Sequence, residues 1–486
     1  MDRLRRWAAV QLVSWRPVDG DALLYLGATL FALVVLSAST IPLYRQWADI
    51  AIGPYAGAAV VAAVLSWRGR RWSNRGLPAP RSRTGVAPGY PDHGPRDAAE
   101  WRIRRGLLVA VLLGATVLPL ALEVEWRASS GSAAHVQPEV VVIEQAAARW
   151  AVGRDPYHAY VLDNHVESAT PGEPAYESFD PYLPFLIALG LPSTVHAPRA
   201  ITDARNVFLL VTLGVGGLAL ALLRGSRDRK LRVLQFLWVL PTAALPLATG
   251  GDDLPVVAVL LLGMVLAQRR LPGLAGVTFG IACAMKFTAW PLALLALFAA
   301  RAKDGRRAPG RMAVGIVAVT VAAVTPFALH NPKVFITNVI AFPLGLSGVV
   351  SPAASAMPGH VLVSLFPVLH TVLPVVAVVF GGSVLAWRLV RRPPRGVRDV
   401  AMLAGWALTV AILIAPATRV GYLLYPINFF AWALLFQAVE PLGQAASLEA
   451  WKTRIVNRVR SSLAPGALTE LVPTKVEGET SAPISQ

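Results

Sequence analysis

The stretch Leu271–Ala300, LPGLAGVTFGIACAMKFTAWPLALLALFAA, decides the fold of this chain. It is almost wholly apolar, but a lysine, Lys286, lies at its centre. About 30 helical residues extend roughly 45 Å at a rise of about 1.5 Å per residue, whereas the hydrocarbon layer of a membrane is about 30 Å thick. The stretch is therefore too long for a single crossing.

Basic residues flank this stretch on both sides. They are Arg269, Arg270, Arg301, Lys303, Arg306 and Arg307. By the positive-inside rule both flanks lie on the cytoplasmic side, so the chain must cross outward and return, turning near Lys286–Pro291. A charge within the membrane is costly and is usually retained for a partner, and an anion is the natural partner of an ammonium group. The pattern predicts a functional site at the outer membrane face.

The composition excludes a soluble globular protein. The chain has 486 residues, of which 55% are hydrophobic and 15% are charged, and its mean hydropathy is +0.54. The net charge of +17 comes largely from arginines that cluster between apolar runs. This clustering reflects membrane topology and indicates contact with anionic lipid headgroups rather than nucleic acid.

Apolar runs predict an all-α, polytopic membrane protein with about twelve transmembrane helices. The runs lie at 21–43, 51–67, 106–122, 206–223, 233–249, 254–267, 272–285, 287–300, 312–329, 370–388, 400–417 and 421–439. The strongly basic connections all fall on one side of this count. We therefore expect a multi-pass protein of the plasma membrane with both termini in the cytoplasm.

The chain divides into four regions by composition. They are an N-terminal segment and helix pair (1–67), a basic disordered cytoplasmic linker (68–105), a membrane core (106–440, with an outer loop at 123–180) and a cytoplasmic amphipathic helix with a disordered tail (441–486). Pro181–Ser193 is short for a crossing, and counting it as one would place the basic loops that follow on the outer side of the membrane. We expect it to be half-inserted, against protein or a wet cavity.

The outer loop contains the main candidate for a catalytic base. Pro138–Trp150 has the pattern of an amphipathic helix that begins at proline, and Glu139 falls in its first turn. The helix dipole favours an ionised carboxylate there, as a general base or a metal ligand requires. Glu144 lies about 140° further around the helix, which favours one principal base over a carboxylate pair. An ordinary first-turn acid is the plainer explanation for Glu139.

Other outer residues extend the candidate site. Asp252 and Asp253 begin the helix at 254–267 and either bind a divalent ion, steer a hydroxyl or cap that helix. Arg419 and His330 are candidate anion ligands, or else interface anchors. Tyrosines such as Tyr157 and Tyr182 either form an interfacial belt or stack on sugars. A metal requirement is left open.

Two groups of motifs resemble glycosyltransferase family 87. The first is GGDDLPVVAVLLLGMVLAQRR followed by LPGLAGVTFGIACAMKFTAWPL, with Lys286 and Pro291 after a small-residue stretch. The second is an acid, an amphipathic helix, a glycine, Pro–Tyr and then Tyr182–Leu183–Pro184. The resemblance covers roughly 106–440. It implies a C-class glycosyltransferase fold, whose known members include polyprenyl-phosphate-mannose-dependent mannosyltransferases.

The resemblance implies roles for these residues. Glu139 stands where the family usually has an aspartate, as the catalytic base, and Asp252 or Asp253 matches the acid of the second outer loop. The phosphate of a polyprenyl phosphate-linked sugar is expected at Lys286 with Arg419 or His330. Glu144, Tyr157 and Tyr182 are expected to contact substrate. The expected reaction is inverting transfer of a mannose-like hexose or a pentose to a hydroxyl of a glycan or glycolipid.

Two other classes of protein share some of these features. About twelve crossings, a buried cation and a half-inserted segment are also typical of a transporter or lipid flippase. Transporters usually show two related halves with broken helices at corresponding places, and we find no such pairing in the sequence. A non-catalytic membrane scaffold is the third alternative. The long acidic outer loop and Lys286 favour an enzyme over both.

Overall fold

The structure, a computed structural model, describes residues 17–73, 95–130, 134–162, 165–167, 174–223, 225–305, 307–349 and 353–436. The α-helices are Pro17–Ala38, Pro42–Ser73, Pro95–Val111, Leu118–Ser130, Pro138–Ala151, Pro184–Ile187, Arg199–Thr202, Ala204–Leu222, Arg227–Leu234, Pro241–Thr249, Asp253–Gln268, Pro272–Cys283, Trp290–Asp304, Arg307–His330, Pro332–Ile336, Pro358–Leu365, Leu369–Val376, Gly382–Arg391, Val397–Ile414 and Leu424–Phe436. The π-helical stretches are Leu112–Val117, Gln235–Val239, Thr337–Ala341 and Ala377–Gly381. The 3₁₀ turns are Ala175–Ser178, Ala188–Thr194, Phe287–Ala289 and Val420–Leu423. Two short strands, Tyr160–Leu162 and His165–Glu167, pair antiparallel.

The all-α, polytopic class predicted from the sequence is confirmed. Eight helices in the described part of the chain are long and apolar enough to cross a membrane. All twelve predicted runs are largely helical, but those at 254–267, 272–285, 287–300 and 421–439 form helices of only 10–17 residues. These short helices contribute many of the residues of the buried core. The longer helices include strongly exposed apolar faces, as expected for contact with lipid.

The stretch Leu271–Ala300 forms two helices joined by a turn near Lys286, as the sequence predicted, whereas the direction in which they cross the membrane stays a prediction. One helix ends at Cys283 and the next begins at Trp290, with the 3₁₀ turn Phe287–Ala289 between them. Small residues let the first helix pack closely against its neighbour. A Cβ atom added to Gly276 would lie 2.2 Å from the carbonyl oxygen of Met312, so the two helix backbones are in direct contact.

The N-terminal helix pair packs into the membrane core. Its fully buried Trp47 donates a hydrogen bond of 2.9 Å to the carbonyl of Ala115, and Tyr55 donates one of 2.5 Å to the carbonyl of Val239. Both carbonyls lie in π-helical stretches, whose wider turns interrupt the regular i to i+4 pairing. The pair therefore satisfies backbone groups that the core helices leave open.

A buried ion network joins the same pair to the core at the opposite end of its helices. Arg104 contacts both Asp21 and Asp228, and Arg232 contacts Asp21 at 3.0 Å. The side-chain amide of Gln235 also donates to Asp21 at 3.0 Å. These contacts lie on the side that the positive-inside rule assigns to the cytoplasm. They fix the helix pair at both ends.

The segment 68–105, which composition assigned to a disordered linker, is helical at both of its ends. Residues 68–73 continue the helix Pro42–Ser73, and the helix Pro95–Val111 covers the other end. Residues 74–94, between them, lie outside the described residues, as do the amphipathic helix and tail predicted at 441–486. The cytoplasmic location of the termini remains a prediction.

Candidate functional site

Lys286 lies against two carboxylates. Its Nζ atom is 3.0 Å and 3.1 Å from the two oxygens of Asp252, and 2.5 Å from Oδ1 of Asp253. Little of any of the three side chains is exposed, 12% for the lysine, 3% for Asp252 and 9% for Asp253. The sequence predicted all three residues as site residues, and the structure joins them in one group.

Aromatic residues surround this group. The ammonium of Lys286 lies 5.2 Å from the ring centroid of Tyr182 and 5.8 Å from that of Tyr422, which are cation–π distances. The hydroxyl of Tyr425 donates to Oδ1 of Asp253 at 2.8 Å and accepts from Thr288 at 2.7 Å. The Lys286 group is therefore held by hydrogen bonds and by ring faces.

Two glycines place the carboxylates. Gly250 has a φ of 114°, the left-handed conformation that ends the helix Pro241–Thr249. A Cβ atom on Gly250 would lie 2.4 Å from a methyl carbon of Val140, so the loop packs directly on the helix that bears Glu139. Asp252 occupies the N-cap position without a side-chain capping bond. Capping therefore does not explain the acidic pair, because Asp252 and Asp253 both contact Lys286.

Glu139 forms the second charged group. It lies in the first turn of the helix Pro138–Ala151, which begins where the sequence predicted, and one of its oxygens contacts the guanidinium of Arg419. The other oxygen, Oε2, is buried and has no hydrogen-bond partner among the described residues. A buried carboxylate oxygen without a donor is uncommon and calls for an explanation, such as a ligand.

Two loop segments hold Arg419 over Glu139. Thr418 pairs with Ala354 as an isolated parallel bridge: its N–H donates to the carbonyl of Ala353 at 2.8 Å, and its carbonyl accepts from the N–H of Ser355 at 3.0 Å. The N–H of Val420 donates to the hydroxyl of Ser355 at 3.1 Å. Arg419 is therefore fixed by residues on both sides of it.

The short segment that begins at Pro181, which the sequence predicted to lie against protein or a wet cavity, packs against the site. The N–H groups of Leu183 and Phe185 donate to the carbonyls of Met285 and Ala284 at 3.1 Å and 3.0 Å, so the segment is bonded to the turn that bears Lys286. Its helical part is Pro184–Thr194, too short to cross a membrane. It brings the ring of Tyr182 beneath the ammonium.

Tyr182 and Tyr422 connect the two charged groups. Each interacts electrostatically with Glu139 and Arg419, and the ammonium of Lys286 lies over both rings. Beyond burial and its nearer neighbours, the charge of Glu139 also raises the pKa of Asp252. The site thus contains two cations and three carboxylates around a pair of tyrosine rings.

Burial and charge set the protonation of the loop residues. Burial raises the pKa of Asp252, which lies between helices, to about 7, although the neighbouring Lys286 acts in the opposite direction. Burial disfavours the charged ammonium of Lys286, but Asp252 and Asp253 more than offset this effect and raise its pKa. Lys286 is therefore cationic at neutral pH.

Asp180 is a site neighbour that the sequence did not single out. Its Oδ1 atom accepts the N–H of Tyr182 at 2.9 Å, and its own N–H donates to Asn338 at 2.9 Å. Burial raises its pKa well above the usual range, and the charge of Asp252 raises it further. The signal in the sequence was its position two residues before Tyr182, in FDPY.

Three predicted site residues lie elsewhere. Glu144 is buried in an ion cluster with Arg127, to which both of its oxygens bond at 3.2 Å and 2.7 Å. Tyr157 is buried, and its hydroxyl donates to the carbonyl of Tyr182 at 2.7 Å, so it supports the site from behind. His330 is exposed at the end of the helix Arg307–His330, and no described contact joins it to Lys286 or Glu139.

The described residues contain no group of three or more histidine, cysteine, aspartate and glutamate side chains arranged to hold a metal ion. Asp252 and Asp253 instead direct their oxygens at the ammonium of Lys286. In this arrangement a lysine occupies the position between the carboxylates.

Comparison with known proteins confirms the resemblance. Residues 181–416 match the family model of glycosyltransferase family 87. The matched range contains Asp252, Asp253 and Lys286, whereas Glu139 and Arg419 lie outside it. The match supports a membrane glycosyltransferase. No protein with a curated function matches this chain.

One solved structure is similar to this chain. It is ArnT from Cupriavidus metallidurans, bound to undecaprenyl phosphate, with 16% sequence identity and a TM-score of 0.40. The similarity covers 75% of this chain. The chain spans 64% of the length of that structure's chain.

Proposed function

We propose that this protein transfers a sugar from a polyprenyl phosphate donor to a hydroxyl of a glycan or glycolipid acceptor at the outer face of the membrane. The observation that carries the proposal is the state of Glu139. One of its oxygens is held by Arg419, and the other is buried and has no partner among the residues that the structure describes. Such a carboxylate is oriented and still has an oxygen available to accept a proton.

The reaction is a single inverting displacement. Glu139 accepts the proton of the acceptor hydroxyl through its free oxygen, and the hydroxyl oxygen forms a bond to the anomeric carbon. The bond between that carbon and the phosphate oxygen breaks on the opposite face, and the polyprenyl phosphate leaves with both electrons. Holding donor and acceptor in one site supplies the orientation that this geometry needs.

Lys286 and Arg419 stabilise the negative charge that develops on the leaving phosphate. Arginine offers a planar fork of donors, and lysine offers a point charge that approaches along the ring faces of Tyr182 and Tyr422. In the unliganded site both cations are already paired with carboxylates. A phosphate therefore competes with Glu139 for Arg419, and its binding releases the base.

Asp252 and Asp253 orient Lys286 in this proposal. Their three contacts with Nζ fix the ammonium at the outer end of the turn. Asp253 is fixed in turn by the hydroxyl of Tyr425. The remaining capacity of their oxygens suits hydrogen bonds from sugar hydroxyls, and the ring of Tyr182 suits stacking on a hexose such as mannose or on a pentose.

A transfer assay tests the proposal directly. Purified protein in lipid nanodiscs is given a polyprenyl phosphate donor with a radiolabelled mannose and a panel of glycan and glycolipid acceptors. We expect label to move to an acceptor with inversion at the anomeric carbon. Release of label only as free sugar, at the rate seen without protein, would count against the enzyme.

The transporter alternative predicts a different result. Protein in sealed vesicles would move the intact labelled lipid or sugar across the bilayer without breaking the glycosidic bond. Uptake of unmodified label, combined with no transfer in nanodiscs, would favour that reading. Impermeant labelling of cysteines introduced at positions 139 and 286 adds a check on topology, because both positions must react from the outside.

A further inference from the structure

His135 lies in the loop that precedes Glu139 and has an unusual backbone conformation. It has a φ of 63°, in the left-handed region that residues other than glycine rarely adopt. Its carbonyl accepts a hydrogen bond of 2.7 Å from the buried Arg205. Its ring lies 5.5 Å from that of Trp126, centroid to centroid. Strain of this kind persists only where the surroundings impose it.

The imidazole joins two separate parts of the chain. Its Nδ1 atom is 3.2 Å from Oε1 of Gln46, in the N-terminal helix pair, and 3.2 Å from Oε2 of Glu123. Both oxygens lie within hydrogen-bond distance of Nδ1. The histidine thereby ties the outer end of the helix Pro42–Ser73 to the segment that leads into the catalytic helix.

Only two residues separate His135 from the helix Pro138–Ala151, which bears the proposed base Glu139. Gln137 is its N-cap residue, and the N–H of Gln137 donates to the carbonyl of Thr249 at 2.9 Å. Glu139 follows one residue after the first helical position. The start of the helix Pro138–Ala151 is thus held on one side by Thr249, the last residue of the helix Pro241–Thr249, and on the other side by His135 and Gln46.

Tyr44 belongs to the same turn of the N-terminal helix Pro42–Ser73 as Gln46. Tyr44 interacts electrostatically with both Glu139 and Arg419. The family match begins at residue 181, so it includes neither this helix nor His135. The N-terminal pair is therefore a feature of this chain for which the matched family region gives no role.

We propose that His135 and Gln46 are positioning residues for Glu139, and that the N-terminal helix pair is thereby part of the catalytic unit. This inference rests on the proposed transferase function. The imidazole fixes the entry of the helix Pro138–Ala151, and the amide of Gln46 fixes the imidazole. Displacement of a base by about 1 Å costs up to roughly 100-fold in rate, so this support affects turnover more than substrate binding.

Three variants and one control test the inference. His135→Gly removes the ring and favours the left-handed backbone, whereas His135→Asn tolerates that backbone and retains a short side-chain donor. Gln46→Leu removes the other partner, and Arg45→Gln changes the exposed neighbouring residue. For each protein, kcat, the Kd for sugar-free polyprenyl phosphate and the thermal midpoint are measured.

We expect kcat to fall about 10-fold to 100-fold in His135→Gly and in Gln46→Leu, with the phosphate Kd within about twofold of wild type. His135→Asn retains most of the turnover, and Arg45→Gln is unchanged. The double variant His135→Gly with Gln46→Leu falls no further than the worse single variant, because both remove one tie.

Wild-type kcat in His135→Gly or Gln46→Leu would overturn the inference, as would a parallel loss of turnover, phosphate binding and thermal stability. The second result would assign these residues to folding alone. If Glu139→Gln abolishes transfer while these variants remain fully active, only the positioning inference fails. If the wild-type protein transfers no sugar, the proposed function and this inference fail together.

Discussion

Glu139 and Glu144 lie five residues apart on one helix, and both contact arginine, yet their surroundings differ. Glu144 accepts two hydrogen bonds from Arg127 and a third, of 3.0 Å, from the backbone N–H of Ala204. Arg199 lies 3.7 Å from it as a further cation. Glu139 has one contact, to Arg419, and an oxygen without a partner among the described residues.

The number of hydrogen-bond donors around each carboxylate therefore distinguishes one that stabilises the fold from one that is available to react. A carboxylate whose two oxygens both accept hydrogen bonds from buried donors stabilises the fold and is poorly placed to accept a substrate proton. Glu144 is of this kind, and its cluster joins the catalytic helix to Arg127 and Asp203. Glu139 has one buried oxygen that lacks a hydrogen-bond donor among the described residues. This lowers the stability of the fold, and a ligand that donates to the oxygen would offset the loss.

Glu139→Gln is the substitution with the largest expected effect on this comparison. Loss of a general base lowers a rate by about 10²–10⁴-fold, so we expect transfer to become nearly undetectable. Sugar-free polyprenyl phosphate should bind at least as tightly, because Arg419 is no longer paired with a charged partner. Turnover in nanodiscs and phosphate binding are measured together, with Glu125→Gln, at an exposed position, as the control. Undiminished turnover would remove Glu139 as the base.

Glu144→Gln should have the opposite effect. Breaking a buried ion pair leaves Arg127 short of a charged partner and destabilises a protein by about 3–5 kcal/mol. We expect a lower thermal midpoint and poorer recovery of folded protein, with turnover per folded molecule close to that of wild type. A stable variant that has lost transfer would show that Glu144 belongs to the reaction after all.

Lys286→Met extends the comparison to the second charged group. Hydrogen bonds to charged groups contribute about 1.5–3 kcal/mol, so we expect donor binding to weaken by about 10-fold to 100-fold. The measurement is a donor titration of transfer. Lys286→Arg is the matched variant, because it retains the positive charge. A donor titration unaltered in the methionine variant would contradict the phosphate role.

Tyr157→Phe should have the smallest effect. It removes one hydrogen bond, to the carbonyl of Tyr182, and such a bond contributes about 0.5–1.5 kcal/mol. We expect a small fall in thermal midpoint and a modest loss of turnover through the position of Tyr182. A large rise in the donor KM with an unchanged thermal midpoint would instead place the hydroxyl of Tyr157 in contact with substrate.

Sequence reasoning worked well where a physical rule acts over a short stretch. The length of the apolar run and its basic flanks required a turn at Lys286, and a helix does end at Cys283. Proline at a first helical position gave the start of the helix that bears Glu139. Composition did not show, however, that several of the predicted runs form helices of only 10–17 residues.

The sequence did not predict the ion pairs and hydrogen bonds between residues far apart in the chain. Glu144 was assigned to substrate because nothing in its neighbourhood shows that Arg127 and Ala204 fill its oxygens. Arg419 was predicted as a phosphate ligand, but its contact with Glu139 joins residues 280 positions apart. Asp180 received no role, because its burial depends on several distant segments.

By itself, then, the sequence determined the membrane class, the turn that bears Lys286 and the helix that bears Glu139, because hydropathy, charge bias and helix-start chemistry act locally. Only the tertiary structure decided which charges meet. It put Asp252 and Asp253 on Lys286 and Arg419 on Glu139, and within the described part of the chain it left one oxygen of Glu139 without a donor. Ion pairing depends on distances between remote helices, and no local pattern encodes those distances.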